Sequence, residues 1–173
     1  MKRSERGFTI IELLVVMAIV ALITGAATMT TPQLVKGTER NSDHMTAVCQ
    51  VQNAGYWISH DALMAQNIVT GDDPETPEHE FITLDWSDWE NGDVHKITYT
   101  FEDMPGGLKK LKRQHLICNA DGVEIGNKMT LIAEYINSAS LSEQDSTWKL
   151  TIQACLRTET ETRDYEIRPR VNL

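Results

Sequence analysis

Arg6-Gly7-Phe8-Thr9-Ile10-Ile11-Glu12-Leu13-Leu14-Val15-Val16-Met17-Ala18-Ile19-Val20-Ala21-Leu22-Ile23 is the stretch on which every other reading depends. From Phe8 to Ala27, twenty residues carry a single charge, Glu12. As a helix rising about 1.5 Å per residue, that run spans about 30 Å, the hydrocarbon thickness of a bilayer. Lys2, Arg3 and Arg6 precede it as a short basic segment of the kind retained on the cytoplasmic side. A secretory signal peptide has a shorter apolar core followed by a small-residue cleavage site. Here the core is long, and the obvious processing point, Gly7–Phe8, comes before it.

Glu12 breaks the apolar pattern. A carboxylate inside a membrane-spanning segment costs about 2.5–3.5 kcal/mol on insertion scales, so a partner is expected for it. A shallow glutamate snorkelling to the interface from an ordinary signal anchor accounts for the residue equally well on physics alone. If the chain is cut after Gly7, however, the new α-amine of Phe8 lies one helical turn from Glu12. The amine of one copy can then neutralise Glu12 of the next. At about 4 Å and an effective dielectric near 20, that attraction is roughly 4 kcal/mol, enough to offset burial.

The basic leader, Gly7, Phe8-Thr9-Ile10-Ile11-Glu12-Leu13 and the long apolar run together resemble the class III signal of type IV pilins and type II secretion pseudopilins. The resemblance covers about thirty residues of 173. It implies cleavage after Gly7 by a prepilin peptidase and N-methylation of Phe8. It further implies assembly into a filament through Ile10, Ile11, Leu13 and Leu14, with Glu12 facing a neighbouring subunit's amine. The implied partners are other pilin or pseudopilin subunits, an inner-membrane assembly platform with its ATPase, and membrane lipid. The implied location is a single pass of the inner membrane with the head outside the cytoplasm. A subunit with nothing above it has no amine to neutralise, so this one is expected below another rather than at the extreme tip.

Composition agrees with one domain on an anchor. The formal charge is −9; Lys2, Arg3 and Arg6 against Glu5 give the leader +2, leaving the remainder near −11. Nonspecific nucleic-acid binding needs a basic footprint, which this chain lacks as a whole. Of the three cysteines, Cys49, Cys118 and Cys155, the last two fall in apparent strands and are candidates for a bridge, with ordinary buried thiols fitting as well. No Cys/His spacing suggests zinc.

Along the chain, Gly25 weakens the helix and Thr31-Pro32 reads as an N-cap followed by proline at the first helical position. A helix break at Gly25 and Pro32 is therefore expected, a simple kink being the plainer alternative. Ala47, Val51, Ala54 (with Gly55), Ile58, Ala62 and Ala65 then recur at spacings of three and four, a stripe of small residues suited to lying on a sheet. The helix is expected to reach about Ile68, with Gln50 and Asn53 facing outwards or towards neighbouring subunits. Asp72, Asp73, Glu75, Glu78 and Glu80 make residues 72–80 acidic, but EF-hand spacing is absent and two prolines stiffen the segment, so calcium is disfavoured and no cofactor is expected.

Beyond it, the residues read as strands: Phe81–Leu84, Val94–Phe101, Leu108–Cys118, Trp148–Arg157 and a last one around Tyr165 and Ile167, with Lys128–Ile136 ambiguous. Lys109, Lys110, Lys112 and Arg113 form a basic cluster, read as a strand's solvent face before a DNA or acidic-partner contact. The fold class is α+β: a long N-terminal helix, transmembrane then amphipathic, packed on a mostly antiparallel sheet. The expected divisions are 1–7 leader, 8–34 membrane and assembly helix, 35–69 amphipathic helix, and 70–173 β-rich head.

A finer resemblance follows. The helix tail Trp57–Gln66 with its aspartate, the strand Ile97–Phe101 with its tyrosine, and Leu108–Arg113 are similar to segments of J-type pseudopilins and W-type pilins. The close Arg168-Pro169-Arg170-Val171-Asn172 is similar to their C-terminal ending, with Val171 intervening. No catalytic constellation is present: His79-Glu80 lacks a second histidine at zinc-protease spacing, and there is no nucleophile elbow. Asp85 and Asp88 flank Trp86 and Trp89, read as a loop anchor ahead of a sugar or subunit contact. A minor pilin or pseudopilin subunit, not an enzyme, is thus the leading function. A membrane-anchored extracytoplasmic hydrolase or ligand-binding module with a simple signal anchor is the alternative. Nothing in the residues selects among secretion, motility, adhesion and DNA uptake.

Overall fold

The computed structural model describes residues 9–70, 79–144 and 147–169. Helix α1 runs Ile10–Ala62, followed by β1 (Asn67–Thr70), β2 (His79–Ser87), β3 (Val94–Asp103), β4 (Lys109–Cys118), β5 (Glu124–Gln144), β6 (Thr147–Leu156) and β7 (Glu159–Ile167). Among the described residues the strands form one seven-stranded sheet in sequence order, every neighbouring pair antiparallel. The expected α+β class is what the chain adopts. Two compact units divide between Ser42 and Asp43.

In the first unit the expected break does not occur: α1 passes through Gly25 and Pro32. Thr31 shows why the sequence signal misleads. Its hydroxyl donates backwards to the carbonyl of Ala27 at 2.9 Å, instead of accepting from an amide ahead of it as an N-cap does. Thr24 and Thr28 do the same, to Val20 and Thr24. Threonines whose hydroxyls are satisfied inside the helix behave as helix interior, and proline is absorbed there as in membrane-spanning helices.

The second unit holds the core. Ala47, Val51, Ala54, Ile58, Ala62 and Ala65 are all fully buried, as their spacing predicts. They meet Ile82, Leu84, Ile97, Leu111, Ile152 and others on one face of the sheet. The closest approach is at Gly55, over which the ring of Tyr165 lies, while the Tyr165 hydroxyl donates to the Val51 carbonyl at 3.1 Å. A Cβ on Gly55 would overlap that ring. Gly55→Ala is therefore expected to destabilise the head by about 1–3 kcal/mol through overpacking. Combining it with Tyr165→Leu should recover part of the loss; an unaltered denaturation midpoint for the single variant would contradict the packing.

The helix ends earlier than its amphipathic pattern suggests. Met64 and Ala65 donate to the carbonyls of Asp61 and Ala62, tightening the last turn, and Gln66 then donates to Asp85 in the sheet. The short edge strand β1 replaces the expected helix tail.

Residues Lys128–Ile136, ambiguous between helix and strand, lie within β5, which at 21 residues is long enough to serve two neighbours. Its first part pairs with β4 as far as Ile136, and from Ile136 onward it pairs with β6. Tyr135, with φ of 61°, stands at the changeover. Among the described residues one edge of β5 lacks a strand neighbour before the changeover, and α1 supplies hydrogen-bond partners there. Gln50 Oε1 accepts the Glu134 amide at 2.8 Å, and Asn53 Nδ2 donates to the Ile132 carbonyl. The pattern predicts both side chains facing outwards or towards neighbouring subunits; they turn instead to β5 of their own head. Unpaired edge amides and carbonyls are costly, which explains why polar residues interrupt that flank of the helix.

Candidate functional site

The assembly segment begins at a defined cap. Thr9 precedes the first helical residue, and its Oγ1 accepts the Glu12 amide at 3.4 Å, placing Glu12 at the third helical position of a Thr-x-x-Glu capping pattern. Negative charge is favoured there by the helix dipole. Ile10, Ile11, Leu13 and Leu14 are all exposed, Ile10 at 86%. The whole apolar window, of mean hydropathy 2.6, has no residue buried within the chain. By length and composition it can cross a membrane. Gly7 and Phe8 lie outside the described residues, as does most of the acidic segment 72–80.

At the other end of α1 the structure gathers three polar residues that the sequence holds far apart. Asp61 projects from the last helical turn and is 4% exposed. The Tyr99 hydroxyl, from β3, donates to Asp61 Oδ2 at 2.5 Å. Arg113, from β4, donates from Nε to Oδ2 at 2.6 Å and from Nη2 to Oδ1 at 3.1 Å, a bidentate fork. The Trp57 ring lies 5.2 Å from the guanidinium carbon. The register places Tyr99 directly opposite Arg113, so both point at the helix from adjacent strands.

Burial, then the charge of Asp61 and its hydrogen bond, push the Tyr99 hydroxyl far above the usual phenol range, with Arg113 opposing. Burial works against the Arg113 cation, but the hydrogen bond and charge of Asp61 outweigh it and hold its pKa above the ordinary value. The phenol therefore stays neutral and the guanidinium charged. This is a clamp fastening the helix end to the sheet; it offers no general base or nucleophile.

Arg113 thus leaves the expected solvent-facing cluster. Of its companions, Lys110 pairs with Glu134 at 3.4 Å, Lys112 with Glu102 at 3.0 Å, and Lys109 stands 5.6 Å from the Phe101 ring centre. Local pairing uses the charges that a nucleic acid would need. Asp88 accepts the Glu90 amide within its own loop and Asp85 accepts from Asn67, whereas Trp89 is exposed. All three cysteines are free, so the bridge considered between Cys118 and Cys155 is not made. β5 lies between their strands, about 10 Å across, and their registers fall at opposite ends of its first half. A disulfide needs α-carbons within about 7 Å.

A second cluster joins Trp86, expected as a loop anchor, to His95 and His115, which no sequence motif marks, on three consecutive strands. His95 Nδ1 lies 3.0 Å from His115 Nε2, and Trp86 stacks parallel on His95 with centroids 5.1 Å apart. Each residue sits at a core-facing position of an alternating strand, the one signal that could have found them. Among the described residues no group of three His, Cys, Asp or Glu side chains could hold a metal ion.

Comparison with known proteins adds one finding: the family model described as the prokaryotic N-terminal methylation motif matches residues 2–28. No curated protein and no solved structure matches the chain. The motif, a pilin-like class III signal, together with the long apolar helix, supports a pilin-type, membrane-anchored structural subunit that assembles with others of its kind after processing.

Proposed function

We propose that this chain is a minor pilin or pseudopilin of a type IV pilus or type II secretion pseudopilus. The observation that carries this reading is the methylation motif at residues 2–28 leading directly into a capped, exposed apolar helix with Glu12 at its third position. In this reading residues 1–7 are the leader, removed after Gly7, and Phe8 becomes the N-methylated terminus. Residues 8–34 anchor the subunit in the inner membrane and pack in the filament. Residues 35–69 join that helix to the head, completed by residues 70–173 outside the cytoplasm. Ile10, Ile11, Leu13 and Leu14 supply nonspecific helix packing, and Glu12 sets the axial register by meeting the Phe8 amine of an adjoining subunit. A platform protein and its ATPase lift the subunit out of the bilayer.

Assignment to the J-type pseudopilins or W-type pilins is supported by the meeting of Asp61, Tyr99 and Arg113. Each comes from one of the three head segments that carry that resemblance. Such subunits are structural, and the clamp at Asp61 performs no chemistry.

Mass spectrometry of the protein isolated from its native membrane tests the reading. The expected terminus is N-methylphenylalanine at position 8, with Met1–Gly7 missing. A chain retaining its first seven residues would sink the proposal and favour a signal-anchored binding module.

A further inference from the structure

Trp86, His95 and His115 lie on the helix-facing side of β2, β3 and β4, in the next layer of side chains beyond Ile97 and Arg113. The two imidazoles have ring centroids 5.3 Å apart and planes tilted by 29°. That separation is the 3.0 Å nitrogen–nitrogen distance plus roughly one ring radius at either end. The rings therefore meet edge to edge, with the bond running in line through both. Two histidines chelating a metal would instead turn both lone pairs toward a third point. The in-line geometry is that of a hydrogen bond, with one facing nitrogen protonated and the other bare.

Such a pair tolerates one positive charge, because a charged ring still donates to a neutral one. It does not tolerate two, because both facing nitrogens then carry hydrogens. We propose that His95 and His115 form a proton-sharing pair whose second protonation breaks the bond and loosens the sheet's hold on the last turn of α1.

The surroundings sharpen the effect. Arg113 lies two residues along β4, and Lys128 of β5 stands in register with His115. Asp61 of α1 is the carboxylate acting on the pair, while β2 lays the uncharged Trp86 against both rings. Burial, then the charges of Arg113 and His95, and lastly Lys128, hold His115 below the ordinary histidine value, with Asp61 opposing. A depressed folded-state pKa means that the unfolded chain takes up the proton first as pH falls. The stabilisation is therefore complete above the unfolded value of about 6.5 and is lost as pH falls through the lower folded one. A doubly charged pair also repels Arg113 and competes for Asp61, which is how the loss reaches the helix end.

The test uses the full chain in detergent micelles. Imidazole nitrogen NMR through an acid titration should show the two rings titrating as a coupled pair, the second step below the ordinary histidine value. Amide exchange at residues 58–64, corrected for its intrinsic pH dependence, should rise about tenfold from about pH 7.5 to 5. His115→Gln retains an acceptor for His95 but cannot acquire a charge, and should abolish that rise. If it does not fold, His95→Gln is read the same way. Independent titration of both rings at the ordinary value overturns the proposal, as does a variant that keeps the full acid response. A stoichiometric shift of both rings by zinc would overturn it in favour of a metal site.

Discussion

Glu12→Gln is expected to leave the chain inserted in the membrane and to cut its recovery in filaments by at least about tenfold, since each 1.4 kcal/mol of lost attraction is a factor of ten. The substitution is informative because of Thr9. Glutamine serves at the third position of a capping pattern as glutamate does, so the helix start survives and only the charge is removed. Insertion itself should become easier, because a carboxylate at depth costs about 2.5–3.5 kcal/mol. The lost term is the attraction to a neighbour's amine, roughly 4 kcal/mol at about 4 Å and a dielectric near 20. Immunoblots of sheared filaments against membranes, in cells carrying the native machinery, measure both quantities at once. Normal incorporation of the Gln variant would mean that Glu12 is only a snorkelling, capping residue.

Asp61→Ala should produce the largest loss of stability in the head. Asp61 is 4% exposed and the side chain of Arg113 11%, so the substitution strands a buried guanidinium and leaves the Tyr99 hydroxyl without its acceptor. Removing one partner of a buried pair costs about 3–5 kcal/mol, chiefly for the charge left behind. For a chain of this size that lowers the melting temperature by on the order of 10 °C. Replacing the two together, as Asp61→Leu with Arg113→Met, should be much milder, because an apolar substitute of similar volume carries no desolvation debt. Thermal unfolding of the single and double variants decides the matter. A single variant as stable as the parent would show that the fork is ornamental.

The two ends of α1 differ in how far they could be read in advance. The anchor was legible because membrane insertion is a local property: twenty residues and one charge suffice to recognise it. The stripe from Ala47 to Ala65 was legible because helical periodicity and small side chains together mark a face meant to lie close to a sheet. Gly25 and Pro32 misled because capping and interior threonines look alike in sequence and differ only in where the hydroxyl turns. Gln50 and Asn53 read as solvent or subunit-contact residues because nothing local announces that β5 changes neighbours at Tyr135 and leaves an edge for the helix to satisfy. The resemblance named the segments holding Asp61, Tyr99 and Arg113, yet Arg113 still looked like one of four surface cations.

Chemical composition along a short span was enough for the membrane helix, its lone carboxylate, the processing signal and the alternation of most strands, since each depends on neighbours within a turn or two. The clamp at Asp61, the histidine pair and the stitching of β5 depend on register between strands dozens of residues apart. Register is settled by packing of the whole sheet against the helix, and no local pattern carries it.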